Sequence, residues 1–586
     1  MKKIIFLIVF IFISSSAFSQ VINDSQIING KHWIYDSFNT LSIESGIPVF
    51  TSNTPLTAGA LRLHFQDFDR ENLSASGKKV YDKAEEFLFT DKNLFPSKSF
   101  KTNLELKLAP ELCYKSNENI DWTYNYYYKD NPISLDIDLG VSDYFSMGGA
   151  FFLGKNYLSS NEAKNFTNLP LNYDQFEFLF PRFTYGSIGG SFNEWGFDFS
   201  VGKEGLKIGN TKTGSIIYND TFETEGYVQL HVYTNDLKYT GNLVQVSPEK
   251  FLYWHQIDVR LFNKIKIGAM EGALVNESLE TRFLNPLMVY HSYSFWKNYS
   301  TDVEQHYYNE SHSCSYLGLT FEINPVKYLR IYGLYAQNEL QAPNEQVGRW
   351  LSYPDSIGGQ IGAELKLPSK LGGYWNYDCE VTYCSPYLYI KQAPEWSLYK
   401  TRKDMITWKY INSWIGSPLG PDTFAVNTSF GYEESEKWSL KLGYLMCLKG
   451  ENGFDLFDEN KYKKEHSWIE KDENGNPIEK DKDGNPIVHS GIVWDYYPYT
   501  QYVVAYDKDN KRNEECEIAV KKARNMWMSG TCEYKHQISL DGSYKFNKKL
   551  AISGQFIYSF IFNANHIPNN FEQGIQAALS FEYKVF

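Results

Sequence analysis

The sequence lacks several features that would assign it to a class at once. After its first twenty residues it has no run approaching the ~18 consecutive apolar residues of a transmembrane helix. Its seven cysteines are scattered and odd in number, so they are not a disulfide scaffold. Acidic residues outnumber basic ones by 70 to 57, and the net charge of −13 gives no electrostatic reason to expect nucleic-acid binding. The HExxH, GxSxG, P-loop and CxxC motifs are also absent, so no signature of catalysis or of a cofactor site is present.

The first residues, MKKIIFLIVFIFISSSAFSQ, have the pattern of a secretory signal peptide. Two lysines follow the initial methionine, Ile4–Ile13 are apolar, and small residues precede Gln20. A run of this length is too short to span a bilayer. We therefore predict that residues 1–19 are a signal peptide and that the mature chain begins near Gln20.

Aromatic residues are abundant, since 45 Tyr, 40 Phe and 14 Trp make up 17% of the chain. The mean hydropathy is nevertheless −0.44, so the chain is polar on average. This combination is typical of a barrel with an apolar outer band, aromatic girdles and a wet interior. A large soluble β protein that binds carbohydrate would have a similar composition, so composition leaves both classes open.

Residues 20–100 differ from the rest of the chain because their apolar residues recur at helical spacing. In SASGKKVYDKAEEFLF (residues 74–89), four apolar residues share one helical face, and the first or the second serine is a candidate N-cap. PLTAGALRLHF (residues 55–65) has the pattern of another short helix, with Thr57 before it. We predict a mostly helical segment over residues 20–100 that plugs or caps a barrel on its periplasmic side.

From residue 101 onward, apolar and polar residues alternate with the two-residue period of β-strands. NLELKL and ISLDIDLGV near the start, HQIDVRLFNKIKIG in the middle and KLAISGQFIYSFIF near the end follow this pattern. In a barrel, polar residues such as Asp136 and Asp138 would face a watery lumen. At about 10 residues per tilted strand, residues 101–586 predict an all-β fold, a large transmembrane antiparallel β-barrel of about 16–18 strands.

The last segment, IQAALSFEYKVF, alternates strictly: Ala577, Leu579, Phe581 and Tyr583 share one face, and the other face is mostly polar. In a soluble sheet this strand would be an exposed aromatic edge that promotes aggregation. In a closed barrel the last strand pairs with the first and no edge remains. We therefore predict that it pairs with a first strand near Lys101–Tyr114.

Residues 451–491 predict a long extracellular loop, with the near-repeat DENGNPIEK and DKDGNPIVH. Its Asn474-Gly475 and Asp483-Gly484 pairs are typical of hairpin turns. Its acidic residues resemble a calcium loop only in part, because the closing Glu is missing. We expect a protruding hairpin or a disordered loop.

The densest mixture of aromatic and polar residues is FLYWHQIDVRL (residues 251–261) with ETRFLNPLMVYHSYSFWKNY (residues 280–299). Rings that stack on sugar faces beside hydrogen-bonding groups are what a glycan site requires. The same rings would also suit an aromatic girdle at a membrane interface. The candidate glycan-binding residues are Trp254, His255, Arg282, Asn285, His291 and Trp296.

One stretch, HYYNESH, offers possible metal ligands. It would place His306, Glu310 and His312 on one side of a strand, although a polar loop or lumen stretch would have the same sequence pattern. The Ser–His neighbours in HSYS and HSCS do not bring a base within hydrogen-bond reach of a nucleophile. We therefore predict no metal, no cofactor and no catalytic activity.

Several stretches together resemble the Wzi-type capsule-assembly family of outer-membrane proteins. They are, in order, TSNTPLTAGALRLHFQDFDRENLSASGKKVYDKAEEFL, WGFDFSVGKEGLKIGNTKTGSIIYND, RLFNKIKIGAMEG, FLNPLMVYH and YLGLTFEINPVKYLRIYGLYAQNEL, and they cover about residues 45–90 and 190–345. The resemblance implies a barrel of roughly 18 strands whose periplasmic end carries helices. It also implies a lectin-like role, because members of the family help to attach capsular polysaccharide to the cell surface.

Together these patterns predict an outer-membrane β-barrel of a diderm bacterium that binds surface polysaccharide by ring stacking and hydrogen bonding. The expected partners are outer-membrane lipid, a surface polysaccharide and the barrel-assembly machinery, with no nucleic acid. Two alternatives stay open. One is a porin or solute transporter, and the other is a barrel enzyme that hydrolyses lipid or peptide.

Overall fold

The computed structural model describes most of the chain, whereas the predicted signal at residues 1–19 lies outside the described residues. The described residues are 21–90, 100–120, 132–154, 165–169, 177–220, 225–276, 278–291, 313–340, 354–391, 397–403, 410–434, 437–453, 463–469, 476–480, 482, 484–494, 521 and 524–585.

Three short helices precede the barrel: α1 (Trp33–Ser45), α2 (Ala58–Phe65) and α3 (Ala75–Phe89). The predicted α2 and α3 are confirmed with their N-caps, since Thr57 and Ser74 each accept a hydrogen bond from the backbone N–H three residues later. The sequence did not predict α1, because most of its residues are buried and no one-sided apolar stripe is visible. No helix among the described residues is long and apolar enough to cross a membrane.

Eighteen antiparallel strands form one closed barrel, which confirms the predicted fold class and strand number. The first strand is interrupted at Pro110, which has no N–H to donate, and the short strand Asn165–Thr167 pairs with its second half. The strands are β1 (Phe100–Leu108, continued by Glu111–Lys115), β2 (Ile133–Val141), β3 (Phe145–Gly154), β4 (Glu177–Phe192), β5 (Trp195–Glu204), β6 (Glu225–Thr234), β7 (Leu237–Ser247), β8 (Lys250–Leu261), β9 (Ile265–Val275), β10 (Ser313–Val326), β11 (Leu329–Glu339), β12 (Ser356–Pro368), β13 (Tyr374–Cys384), β14 (Thr423–Glu434), β15 (Trp438–Lys449), β16 (Glu533–Lys545), β17 (Leu550–Phe562) and β18 (Phe571–Lys584).

The barrel closes where β18 pairs with both parts of β1. Tyr583 lies opposite Leu108, and Leu579 lies opposite Leu112. The pairing predicted from the alternation of the last segment is therefore confirmed. Within the described residues, three short two-stranded sheets lie outside the wall: Ile27–Ile28 with Leu56–Thr57, Tyr399–Lys403 with Tyr410–Trp414, and Lys463–Trp468 with His489–Trp494.

Side chains alternate between the lumen and the outer wall along the strands, as the two-residue period requires. On β18, Leu579, Phe581 and Tyr583 face outward and are exposed, while Gln576 and Ala578 face inward and are buried. The outward apolar residues of other strands extend this surface into a belt, which includes Ile257, Ile267, Leu319, Phe321, Ile361, Phe430, Leu442, Ile538, Leu540 and Phe556. Such a belt matches the apolar band that lipid contacts around a membrane barrel.

The two ends of the barrel differ in the length of their connections. At one end, here termed the short-turn end, neighbouring strands are joined by turns of two to five residues. The helices pack at this end, where the backbone N–H of Tyr328 donates to the carbonyl of Ile43 at 2.6 Å. The opposite, long-loop end carries most of the long connections, such as residues 276–312, 385–422 and 450–532.

The longest connection, between β15 and β16, runs from residue 450 to residue 532 and so extends well beyond the loop expected near 451–491. Its described parts include the paired strands Lys463–Trp468 and His489–Trp494. Gly484 has a φ of +84°, as the Asp-Gly turn signal requires, and the backbone of Ile487 bonds back to Glu479. The Asn474-Gly475 pair lies outside the described residues.

The register at the closing seam can be tested by a disulfide cross-link that requires only one substitution. Cys113 of β1 lies opposite Ala578 of β18 in a non-hydrogen-bonded pair. The Cα atoms of such a pair are about 4.5 Å apart, which is within the range that a disulfide spans. We expect Ala578→Cys to form a disulfide with Cys113 and to close the chain covalently. Boiled, oxidised protein should then migrate faster on a non-reducing gel than its reduced form.

The matched control is Ala577→Cys, which lies opposite Tyr114 and faces the outer wall. It should show no such shift. Equal mobility of the oxidised and reduced A578C protein would contradict the register at the seam.

Candidate functional site

The lumen on the side of β5–β14 is filled by the connection from β5 to β6, residues 205–220, here termed the inward loop. Its apolar side chains are at most 2% exposed: Leu206, Ile208, Ile216, Ile217 and Tyr218. They share one core with buried residues of the wall, among them Tyr227, Val244, Leu252, Trp254, Met270, Tyr316 and Tyr332. This side of the lumen is therefore a packed core rather than an open channel.

Polar residues of the wall hold the backbone of the inward loop in place. The Glu380 carboxylate accepts hydrogen bonds from the backbone N–H groups of Lys212 at 2.8 Å and Thr213 at 2.9 Å. Gln360 and Arg330 each donate to a backbone carbonyl of the loop at 3.0 Å. Glu380 therefore holds two consecutive backbone N–H groups of the loop from the wall.

Buried charges join the same loop to the wall. The Lys212 ammonium lies 2.7 Å from the Glu364 carboxylate. Arg330 contacts Glu364 as well and lies 2.8 Å from Glu322, which Lys266 approaches to 3.1 Å. Burial alone would lower the pKa of Lys212, but the Glu364 carboxylate raises that pKa above its ordinary value. Removing one member of such a buried network leaves an uncompensated charge, at a cost of about 3–5 kcal/mol.

The N-terminal segment, residues 21–57, enters the lumen from the short-turn end. Thr51 and Asn53 donate to inward-facing side chains of β8, at 3.0 Å and 2.7 Å. Thr54 and Lys207 of the inward loop exchange two backbone hydrogen bonds, of 3.1 Å and 3.0 Å. The two segments therefore meet inside the barrel.

Helix α2 is held by an ion pair to the wall and by a ring contact to the N-terminal segment. Arg260 of β8 donates to the carboxylate of Asp67, just after α2, at 3.0 Å. His64 of α2 is 2% exposed and stacks on Phe50. Burial lowers the pKa of His64 to about 4, so the docked imidazole is neutral at pH 7.

We expect the docking of α2 to weaken as the pH falls from about 6.5 to about 4. An undocked histidine takes up a proton below about pH 6.5, whereas docked His64 stays neutral down to about pH 4. The undocked state therefore binds more protons in this window, and docking loses on the order of 3 kcal/mol across it. Hydrogen exchange of residues 58–65 at a series of pH values would measure the loss.

The His64→Gln variant is the control for this titration. Its docking should change less between pH 6.5 and pH 4 than that of the wild type, because no imidazole remains to be protonated. A pH profile identical in H64Q and the wild type would assign the effect to another group.

Replacing Glu380 by Ala should release the inward loop. The two backbone N–H groups that lose their acceptor each cost about 1–3 kcal/mol. We expect faster proteolysis after Lys207 or Lys212 and new conductance steps in planar bilayers. The control is Glu433→Ala, because Glu433 accepts instead from Asn376, at 3.1 Å. If E380A were cleaved at the same rate as the wild type and showed the same conductance, Glu380 would not be what holds the loop.

The structure does not bring the six predicted glycan-binding residues together. Trp254 faces the lumen, is 2% exposed and packs on Tyr218 with the ring centroids 5.0 Å apart. His255 faces the outer wall, because successive strand residues point to opposite faces. Trp254 is therefore part of the lumen core, on the other side of the wall from His255. Trp296 lies outside the described residues.

Residues 278–291, which follow β9, fold back over the outer wall, and we term them the outer flap. Phe283 and Tyr290 of the flap pack against Tyr253 of β8. The Tyr253 hydroxyl accepts a hydrogen bond from the backbone N–H of Glu280 at 2.8 Å. The flap thus covers the outward side chains of β8 and β9 near the long-loop end.

Four of the six predicted residues meet at this flap. The His255 imidazole lies 3.2 Å from the outward-facing carboxylate of Glu271, and the backbone N–H of His291 donates to the same carboxylate at 2.8 Å. Arg282 and Asn285 are exposed on the flap itself. The arrangement combines aromatic packing with a hydrogen-bonded His–Glu pair at the outer wall.

On the other side of the lumen, near β1–β3 and β16–β18, a cavity of about 910 Å³ remains. Asp136 and Asp138 both line it, as the strand alternation predicts. Glu105, Lys107 and Lys584 line it as well, and Lys584 forms an ion pair with Glu105 at 3.1 Å. One half of the lumen is therefore an apolar core and the other half is a polar cavity.

The long-loop end carries an exposed tryptophan that the sequence analysis did not single out. Trp527 is 53% exposed, and its ring centroid lies 6.4 Å from that of Tyr383 and 5.6 Å from that of Phe424. Asp422 holds this loop by accepting from the backbone N–H of Ser529 at 3.1 Å. Among tryptophans whose side chains are described, the other well-exposed ones lie at the short-turn end: Trp195, Trp375 and Trp438.

The described residues contain no group of three or more His, Cys, Asp or Glu side chains placed to hold a metal ion. The stretch that suggested such a site, with His306, Glu310 and His312, lies outside those residues.

No family model and no curated protein matches the chain. Among solved structures it is similar to Wzi of Escherichia coli, an outer-membrane protein involved in group 1 capsule assembly and described as a carbohydrate-binding β-barrel. The identity is 10%, 95% of this chain and 99% of that chain are covered, and the TM-score is 0.53. OprD of Pseudomonas aeruginosa is 7% identical over 84% of this chain and 99% of that one, with a TM-score of 0.36.

OmpT of Vibrio cholerae, another outer-membrane protein, is 9% identical over 84% of this chain and 100% of that one, with a TM-score of 0.30. At such identities the likeness to Wzi shows the fold. The fold is that of a Gram-negative outer-membrane β-barrel, and the outer membrane is where this chain resides.

Proposed function

We propose that this outer-membrane barrel binds a surface polysaccharide at its long-loop end without catalysing a reaction. The observation that carries the proposal is the filled lumen. The inward loop and the N-terminal segment occupy the side of β5–β14, where a porin would need an open path. A barrel filled in this way is suited to present a binding surface rather than to pass solutes. The fold likeness to a carbohydrate-binding barrel supports the same function.

The long-loop end is taken as the extracellular end, because outer-membrane barrels have short periplasmic turns and longer extracellular loops. The helices then face the periplasm, with residues 20–100 as a periplasmic plug segment. Capsular and other surface glycans lie on the opposite side. Exposed side chains of the long-loop end are therefore the ones that face such glycans.

The proposed contacts are Trp527 and the exposed flap residue Arg282. An indole that already lies on a wall tyrosine has one edge and face free to stack on a sugar ring. Arg282 adds a hydrogen-bonding group at the part of the flap nearest the long-loop end, where its partner Glu280 bonds to Tyr253. Asn285, His255 and His291, which the sequence also suggested, lie deeper along the wall and are not among the proposed contacts. Trp254 supports the site only from within the lumen core.

We expect Trp527→Ala to weaken polysaccharide binding at least tenfold, because the stacking platform is lost; a factor of ten corresponds to about 1.4 kcal/mol. The probe is polysaccharide extracted from the surface of the bacterium that expresses the protein. Its binding to nanodisc-embedded barrel is measured by biolayer interferometry.

The matched control is Trp438→Ala, an exposed tryptophan at the short-turn end, which should bind as the wild type does. Equal affinity in W527A and the wild type would remove Trp527 from the site. A wild-type barrel that binds none of the polysaccharide would refute the proposed function.

A porin or transporter is the second candidate, and the polar cavity of about 910 Å³ beside β1–β3 favours it. Planar-bilayer recordings separate the two functions. A binding barrel is nearly silent, whereas a transporter gives steady wild-type conductance that its solute blocks.

A further inference from the structure

The outer flap has an apolar side that faces away from the barrel. While Phe283 and Tyr290 pack inward, other flap residues point outward and are well exposed: Leu279, Leu284, Leu287 and Val289. Leu287 is 90% exposed. These side chains add to the apolar belt of the wall at β8 and β9, which includes Ile257 and Ile267. An apolar surface continuous with a lipid-facing belt points to the same neighbour, namely lipid.

The position of the flap along β8 places it at membrane depth. His255 lies six residues from Leu261 at the short-turn end of β8, and a strand tilted by about 40° rises roughly 2.5 Å per residue along the barrel axis. His255 is therefore about 15 Å from that end, within an apolar band about 25 Å tall. The flap reaches further down, because its Pro286 carbonyl lies 3.4 Å from the hydroxyl of Tyr239, a residue paired with Ile257.

Irregular backbone at this depth must have its polar groups paired, since hydrocarbon offers no hydrogen bonds. The flap meets this requirement to a large extent. The backbone N–H groups of Phe283 and Met288 donate to backbone carbonyls of the flap. The Asn285 side chain accepts a hydrogen bond from the backbone N–H of Leu287 at 3.1 Å. The N–H of His291 donates to Glu271 on the wall. Pro286 has no N–H to satisfy.

The flap covers two polar side chains of the outer wall, His255 and Glu271. Both face outward from the wall at a depth where direct contact of such polar side chains with acyl chains would be costly. Tyr290 stacks on the His255 ring with the centroids 4.6 Å apart, and the flap backbone bonds to Glu271. The flap therefore separates a polar pair from the surroundings and presents leucine and valine in its place.

We propose that the outer flap is a lipid-docking surface, with Leu284, Leu287 and Val289 in contact with acyl chains of the bilayer. The inference does not depend on polysaccharide binding. It requires a loop between two strands to lie in the membrane beside the barrel instead of projecting into water.

Spin-label accessibility tests the proposal directly. A nitroxide is attached at Leu287→Cys, after Cys379, Cys516 and Cys532 are replaced by Ser, because the other cysteines are buried. The barrel is reconstituted in outer-membrane lipid vesicles, and relaxation by oxygen is compared with relaxation by a water-soluble nickel chelate. Oxygen concentrates in the acyl region and the chelate stays in water.

Two matched positions calibrate the measurement. Ile361→Cys reports the belt on β12, and Leu371→Cys reports a turn at the short-turn end; the native residues are 60% and 71% exposed. We expect the ratio of oxygen to nickel relaxation at 287 to match that at 361 and to exceed that at 371 several-fold. A ratio like that at 371 would place the flap in water and overturn the proposal. Protection from both reagents would show that protein, such as a second copy of the chain, covers the flap, and would overturn it as well.

Discussion

The seam between β1 and β18 is the contact on which the whole structure depends. In hydrocarbon every backbone N–H and C=O needs a partner within the protein, so a sheet crosses a membrane only as a closed ring. The seam achieves closure despite Pro110, which cannot donate. The Pro110 carbonyl accepts from Phe581 at 3.0 Å, and the N–H of Ala109 donates to Pro132 at 2.7 Å. The chain thus passes the interruption without leaving those groups unpaired.

A ring of eighteen strands creates the second problem, an interior too wide for the wall side chains to fill. Segments that enter from opposite ends fill it with different chemistry, and Leu388, Tyr389, Leu398 and Ile415 of the connection between β13 and β14 join the core of the inward loop. The inward loop brings Ile216, Ile217 and Tyr218 into an apolar core, while the N-terminal segment bonds to polar groups of β8. The lumen therefore contains both a dry core and a polar cavity.

The wall was predictable from the sequence because its signal is local. Alternation alone located β18 and its partner, and the capping serine and the Val80–Ala84–Leu88 face located α3. The segments that fill the lumen were not predictable. In the inward loop the apolar residues are separated by glycine, threonine and lysine without a period, and their burial depends on the ring around them. Helix α1 is buried on most faces for the same reason, so it has no polar side to reveal it.

The candidate site could also be predicted from the sequence only where its signal is local. Trp254 and His255 are neighbours in sequence, and the two-residue period already implies that they face opposite sides of the wall. The folding of residues 278–291 back over the wall, by contrast, is set by long-range contacts of Phe283 and Tyr290 that no local pattern encodes. Trp527 gave no signal because one tryptophan in a long polar connection has no periodicity. Its exposure is a property of the loop that Asp422 anchors.

The backbone contact between Thr54 and Lys207 joins a segment that enters from the short-turn end to a loop that enters from the other. Both are also tied to the wall, one through β8 and the other through Glu380. Displacing either segment from the wall would therefore strain the two hydrogen bonds it makes with the other, so the plug on one face of the membrane and the loop from the other face are mechanically connected inside the barrel.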